Sequence, residues 1–320
     1  MDTKPTTAAL IGAAALSLRS AQTAEDAAPK AATRPLFVAA GHQGLRIVSE
    51  NGTDWTNLQI GKEGEYYRAV AFGNGRYVAA GTFGGQNVFA SSADGVKWET
   101  RFKDGQHKNY VRGLGFGKGL FIAIGGEPVT VGASAPILLS SPDGVKWSDY
   151  ILIKGKNILR RIAFGNGLFV GVGDRGRRAA SSDGTEWKDA PDVKAIDTLV
   201  DVAFGKGVFV GVGLHGLRMK SDDGLKWSER LIGEEGEHLN SILWAGDRFV
   251  AVGMGATYTS PDGTTWKRES NKNAPLTVAY GNNQFIGSNW RGRILRSTDA
   301  LDWREVFKAE HHIEAIGFGG

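Results

Sequence analysis

Seven times between Ser49 and Trp303 the chain repeats the box Ser-x-Asp-Gly-x-x-Trp. Its acidic position is Asn51, Asp94, Asp143, Asp183, Asp223, Asp262 and Asp299, and its last is Trp55, Trp98, Trp147, Trp187, Trp227, Trp266 and Trp303. Only the first box lacks Asp, and only the last replaces Gly, with Ala300. The spacing is roughly forty residues, the length of one four-stranded blade. Each unit reads as four short strands. Strand a ends in an aromatic, as in Ile162-Ala163-Phe164, and a Gly-Asn-Gly or Gly-Lys-Gly turn follows, as at Gly73-Asn74-Gly75. Such turns supply the positive φ that two-residue hairpins need. Strand b is Leu168–Val172 and its equivalents, strand c leads into the Ser, and the box is the c–d hairpin. Its Asp can accept backbone N–H bonds in the tight turn, and its Trp fills the space between hairpins. The structural Asp residues are thus Asp94, Asp143, Asp183, Asp223, Asp262 and Asp299.

The ends of the repeat array predict closure. The first unit enters at strand b, Leu36–Ala40, with no strand a before it. The last segment, His312–Phe318, is a strand a with no strand b after it. The expected fold is all-β: a seven-bladed β-propeller with four antiparallel strands per blade. It closes one-plus-three, the C-terminal strand being innermost in blade one. Closure removes the exposed edges of an open stack.

The box resembles the Asp-box, or BNR, repeat of sialidases, sortilin-type receptors, xyloglucanases and the photosystem II stability/assembly factor family. The resemblance runs from about Leu36 to the end and implies a propeller. It says little of function, because that repeat serves hydrolases, receptors and assembly factors alike. Sialidases use six blades and an early Arg-Ile-Pro segment. This chain has seven boxes, no Arg-Ile-Pro and no assignable Tyr–Glu pair, so no catalytic residue carries over. The assembly-factor family is nearer in blade number and in being non-enzymatic.

Ahead of the repeats, Lys4 precedes an apolar run, Ala8–Leu18, and small residues up to Ala24. That is the layout of a secretory signal over 1–24, with a flexible linker over 25–34 and the propeller over 35–320. The same composition also fits an unfolded Ala-rich tail. The run is too short to span a bilayer. The chain is expected to be secreted or periplasmic and monomeric. It has no cysteine, which excludes disulfides and thiolate chemistry. The net charge of +4 is too small to make a case for nucleic acid, which needs a clustered basic face.

Function belongs where the copies disagree. The boxes and a–b turns share one face and are explained structurally; the irregular d–a and b–c loops share the other. Four residues before each closing aromatic, in blade order, stand Glu314, Arg68, Arg112, Arg160, Val200, Asn240 and Leu276. Three arginines in successive blades converge on one side of the mouth, where guanidinium forks suit carboxylate, sulfate or phosphate. Pairing of these arginines with Glu314 and Asp201 is the competing reading. Arg161 points to the other side of its strand. Trp290, outside the repeat register and beside Arg291, suits stacking on a sugar or gripping a protein, unless it lies over its own blade. Blade three carries the longest b–c insertion, Gly125–Pro136. His42 and His215 have no helper, and His311-His312 alternate sides of a strand, so no metal site and no cofactor is expected.

The expected role is a non-catalytic binding or assembly module for a protein partner or an acidic small molecule or glycan. The rival is a glycan-active enzyme or lectin. As a hydrolase it would need a second carboxylate near Glu314, with Glu63, Glu65, Glu234 and Glu237 as candidates.

Overall fold

A computed structural model describes residues 34–103, 110–127, 135–155, 157–191 and 193–320. The segment 1–24, all of the linker 25–34 but Arg34, and most of the Gly125–Pro136 insertion lie outside these residues.

The hairpin turn shows how the box works. Ser181 Oγ donates to Asp183 Oδ1 at 3.0 Å and accepts from Gly184 N. The same Asp183 oxygen accepts from Thr185 N and Glu186 N. Those backbone donors hold the Asp183 carboxyl at about 2, well below its ordinary range. Trp187 Nε1 closes the turn on Gly184 O. In the first box Asn51 Oδ1 takes the same two backbone donors from Thr53 and Asp54, so an amide carbonyl serves geometrically. In the last, Ala300 adopts φ 69°, the left-handed conformation that glycine holds in the other six. Trp147 departs from the pattern: its Nε1 is buried without a partner among the described residues, and its ring stacks on Phe89 at 4.0 Å.

Seven four-stranded antiparallel sheets result, making an all-β seven-bladed propeller. The pairs of strands a and b run from Tyr66–Gly73 with Arg76–Phe83 to Thr277–Gly281 with Gln284–Asn289. Blade one is ordered Ile313–Gly319, Leu36–Gly41, Arg46–Ser49, Thr56–Gln59. Its first two strands pair in the register Phe37↔Phe318, Val38↔Gly317, Ala39↔Ile316. Strands b are buried over most of their length, while outer strands such as Ser228–Leu231 are exposed.

The core lies between blades. Ala69, Val78 and Ala80 of blade two pack with Val111, Leu114 and Phe121 of blade three. Phe37 and Ile47 of blade one meet Ile286 and Ile294 of blade seven. Every closing aromatic tilts onto its strand-b partner, as Phe164 on Phe169 at 4.8 Å and Phe318 on Phe37 at 4.7 Å. Burying a Phe like Phe169 contributes roughly 1.5–3 kcal/mol.

The turn glycines divide into two kinds. In Gly73-Asn74-Gly75, Asn74 and Gly75 have positive φ, but Gly73 does not. A Cβ on Gly73 would stand 2.3 Å from the Phe116 ring of the next blade. Gly117 meets Phe164, Gly165 meets Phe204, Gly281 meets Phe318 and Gly319 meets Phe72 in the same way. The first glycine of the turn therefore seats the neighbouring blade's aromatic, including across the join between blades seven and one.

Candidate functional site

Strand a carries a β-bulge in six blades. The a–b ladder skips one residue between Tyr67 and Ala69, Val111 and Gly113, Leu159 and Arg161, Leu199 and Asp201, and Leu239 and Ser241. In blade one it skips from Ala315 to Ile313. The unpaired residues are Arg68, Arg112, Arg160, Val200, Asn240 and Glu314, the set expected at the mouth. A bulge leaves its extra residue out of the ladder and re-aims the side chain. The residue four positions after the aromatic of the paired strand b makes room for it: Gly41, Gly81, Gly125, Gly173, Gly213 and Gly253. A Cβ on any of these would lie 1.8–2.1 Å from the backbone oxygen two residues before the bulge. Blade seven has Asn289 there and a regular ladder next to Leu276.

The mouth opens into a cavity of about 440 Å³ whose lining includes Arg68, Asn240, Leu276, Trp290, His312 and Glu314. Asp201 and Arg161 lie in its wall as well. Arg161, expected to face away from the mouth, lines the cavity, and its Nη1 donates to the carbonyls of Arg112 and Arg160. Arg161 keeps the regular ladder opposite Val172, and it is Arg160 that the bulge takes out of the alternation; neither Arg112 nor Arg160 is among the residues that line the cavity. Asp201 accepts from Val202 N and Ile242 N, and burial pushes its carboxyl up against the opposing pull of Arg161.

The three arginines differ in their partners. Arg160 is bidentate to Asp174, with Nη2 at 3.0 Å from Oδ2. Arg68 and Arg112 have no ion pair among the described residues, and the Nε of each is buried and unpartnered. The Arg68 guanidinium lies over the Tyr66 ring, 4.2 Å from its centroid. Burial, then the charges of Arg68 and Arg160, bring Arg112 down to about 10. Glu314 does not pair with the arginines. Its Oε1 accepts from Tyr66 Oη at 2.7 Å and lies 3.3 Å from His42 Nε2 and 3.6 Å from His312 Nε2. Burial raises the Glu314 carboxyl, but the Tyr66 and His42 contacts outweigh it and the net shift is down. Tyr66 rises to about 12, through burial first and then its bond to Glu314.

Trp290 sits in a three-residue 3-10 turn, Trp290–Gly292, capped by Asn289 Oδ1 on Trp290 N. Its ring reaches across to blade one and stacks on His312 at 5.2 Å and 13°, yet stays 62% exposed. His312 in turn meets His42 edge-on, and His42 meets Tyr66. An aromatic file thus runs from Trp290 to Tyr66 and ends under Arg68. Arg291 is exposed, at φ 62°, and is not part of the cavity wall.

The expectation that His42 lacks a helper is corrected. His42, His312 and Glu314 bring donor atoms within 4.8 Å of one another. Residues 270 positions apart meet because strand Ile313–Gly319 pairs with Leu36–Gly41 and His42 N donates to His312 O. The closure expected from the sequence held this signal. Of the candidate second carboxylates, Glu65 bonds Tyr67 Oη and Lys62 N, and Glu237 bonds Tyr258 and Arg268. Glu234 pairs with Arg268, and none of Glu63, Glu65, Glu234 or Glu237 lines the cavity.

No protein-family model matches the chain, and no curated protein does. Solved structures share its fold. A structure of YCF48 bound to D1 peptide is 20% identical with a TM-score of 0.55, covering 74% of this chain and 81% of that one. Virginiamycin B lyase from Staphylococcus aureus is 10% identical with a TM-score of 0.63, covering 76% and 84%. A functionally unknown protein from Desulfotomaculum acetoxidans is 14% identical with a TM-score of 0.66, covering 89% and 99%. At these identities the likeness is one of fold.

Proposed function

We propose that the chain is a non-catalytic binding module that holds a carboxylate-bearing segment of a protein partner at the mouth of its ring. The observation that carries this reading is the pair Arg68 and Arg112, each with a buried Nε that has no hydrogen-bond partner and with no ion pair among the described residues. A buried cation without a counter-ion costs stability, and a ligand anion removes that cost. Guanidinium forks bind carboxylates with two parallel bonds. Trp290 adds an exposed flat surface at the same rim. YCF48, of similar fold, has been seen with a peptide bound, which supports a peptide here. The box hairpins, with their shared Ser–Asp–backbone bonding, support kinship with the Asp-box repeat. The charged, then apolar, then small-residue order of 1–24 supports export, which N-terminal sequencing of the protein recovered from its cells tests.

A glycan-binding mouth is the second reading, and Trp290 favours it, since an exposed indole suits a sugar face. Glycoside hydrolysis needs two carboxyls flanking the bond. Here Glu314 is engaged by Tyr66 and His42, and Asp201 by two backbone N–H groups.

The test is a thermal-shift screen of acidic peptides, organic acids and acidic glycans on the parent and on an Arg68→Ala/Arg112→Ala variant. Stabilisation by carboxylate peptides that the variant loses supports the proposal. Stabilisation by glycans alone moves the assignment to a lectin. Parent protein indifferent to every anion overturns the anion site.

A further inference from the structure

We infer that His42, His312 and Glu314 form a binding site for one divalent transition-metal ion of the zinc class. This does not depend on the anion reading.

The donors are already spaced for an ion. Zinc bonds to imidazole N and carboxylate O are about 2.0–2.2 Å. Two such donors at a tetrahedral angle stand roughly 3.3–3.5 Å apart. His42 Nε2 is 3.3 Å and His312 Nε2 3.6 Å from Glu314 Oε1, and all three donors lie within 4.8 Å of one another. The two imidazole nitrogens, within 4.8 Å of each other, reach the tetrahedral spacing with a closure of at most about 1.5 Å.

Hydrogen bonding alone leaves His312 unexplained. At 3.6 Å its Nε2 is beyond a good hydrogen bond to the carboxylate it faces. Its Nδ1 is buried with no partner among the described residues. A half-buried imidazole with neither nitrogen used is a poor structural element. An ion held through Nε2 gives it a role, and the Trp290 ring stacked on it fixes its plane.

The backbone builds the pair. His42 N donates to His312 O at 2.9 Å, and Gly41 permits the approach, since a Cβ there would lie 2.0 Å from that oxygen. Glu314 joins them because it occupies the bulge. The other histidine pair of the ring shows the contrast. His238 Nδ1 accepts from His215 N, so that pair satisfies itself, and the bulge residue beside it is the neutral Asn240.

Two imidazoles and one carboxylate suit borderline ions such as Zn(II) or Co(II) over Mg(II) or Ca(II), which prefer all-oxygen shells. Three protein ligands leave a fourth position for water or a ligand oxygen on the cavity side. Tyr66 Oη, 2.7 Å from the same carboxylate oxygen, would hold Glu314 in place.

The experiment uses the full, tag-free chain, stripped with chelator and dialysed. Zn(II) is titrated calorimetrically, and Co(II) is followed by its visible ligand-field bands. The expected result is one ion per chain with four- or five-coordinate Co(II) bands. His312→Ala and Glu314→Gln, checked for folding by near-ultraviolet circular dichroism, should each weaken binding by more than about 100-fold, since loss of outer-shell partners alone costs 10–100-fold. His215→Ala should bind as the parent does. A parent that takes up no stoichiometric Zn(II) or Co(II) overturns the inference without reference to any variant. So does an undiminished affinity in folded His312→Ala.

Discussion

Replacing Gly81 with alanine should disturb the mouth and the stability of blade two together. Gly81 ends the buried part of strand Arg76–Phe83, and its φ is not in the left-handed region, so backbone strain is not the issue. Space is. The new Cβ would lie 1.8 Å from Tyr66 O and 2.8 Å from Tyr67 Cα, both backbone atoms that cannot rotate away. Ordinary Cβ contacts exceed 3 Å, so the two strands must part by more than about 1 Å at the bulge that carries Arg68. Losing one or two ladder hydrogen bonds costs about 1 kcal/mol each. Overpacking adds about 1–3 kcal/mol, for a total of about 2–5 kcal/mol. In a domain of this size each kcal/mol is worth roughly 2 °C, so melting should fall by about 4–10 °C. Displacing Arg68 should also weaken anion binding by about tenfold, the worth of one charge-assisted hydrogen bond. Differential scanning fluorimetry with and without a bound anion reads both quantities. A Gly81→Ala protein that melts and binds like the parent would refute the claim that this glycine holds the bulge, and with it the account of how the mouth is aimed.

Three further outcomes follow from the same geometry. Gly165→Ala puts a Cβ 2.0 Å from the Phe204 ring and should cost about 3 kcal/mol or more, read by urea unfolding, because the ring it displaces is packed on Phe209. Arg112→Met should leave melting unchanged or raise it by up to about 1 kcal/mol equivalent while weakening anion binding by about tenfold or more, because it removes a half-buried cation that has no ion pair among the described residues. Asp183→Asn keeps the turn, as Asn51 does in the first box, but loses a charged acceptor. Its carboxyl is lowered to about 2 from 3.8, so its stabilising effect is full above about pH 4 and fades as the pH falls through 2. At that exposed site the deficit should stay below about 1 kcal/mol at pH 7 and vanish near pH 2 when unfolding is compared across pH.

The ring was legible because each box carries its own local chemistry: a Ser and an Asp for the turn, a Gly for the left-handed residue, a Trp to cap it. Local requirements leave local signatures. The bulge positions were legible too, since counting back from each aromatic reached Arg68, Arg112, Arg160 and Glu314, of which Arg68 and Glu314 line the cavity. Their orientation was not. The bulges that aim them are written in Gly41, Gly81, Gly125, Gly173, Gly213 and Gly253, whose need is a close backbone approach and not a special φ. Read as ordinary strand residues, those glycines hide the change of register at Arg68, Arg112 and Arg160, so the alternation alone does not say which arginines face the cavity. The grouping of His42, His312 and Glu314 escaped for another reason. It exists only once both ends of the repeat array share one sheet, so no spacing in the linear chain announces it. Arg160 shows a third limit: its partner Asp174 sits in a b–c loop whose course the repeat pattern does not fix.

Isothermal titration of an acidic peptide with a free C-terminus, found in the screen, against its amidated, neutral counterpart tests whether Arg68 and Arg112 hold a ligand carboxylate. The acidic peptide should bind the parent one-to-one, more weakly as salt rises. The neutral peptide, and either peptide with Arg68→Ala/Arg112→Ala, should bind at least about 100-fold more weakly, since two charge-assisted contacts are lost. Equal affinity for both peptides, or binding that survives the double substitution, would contradict that assignment.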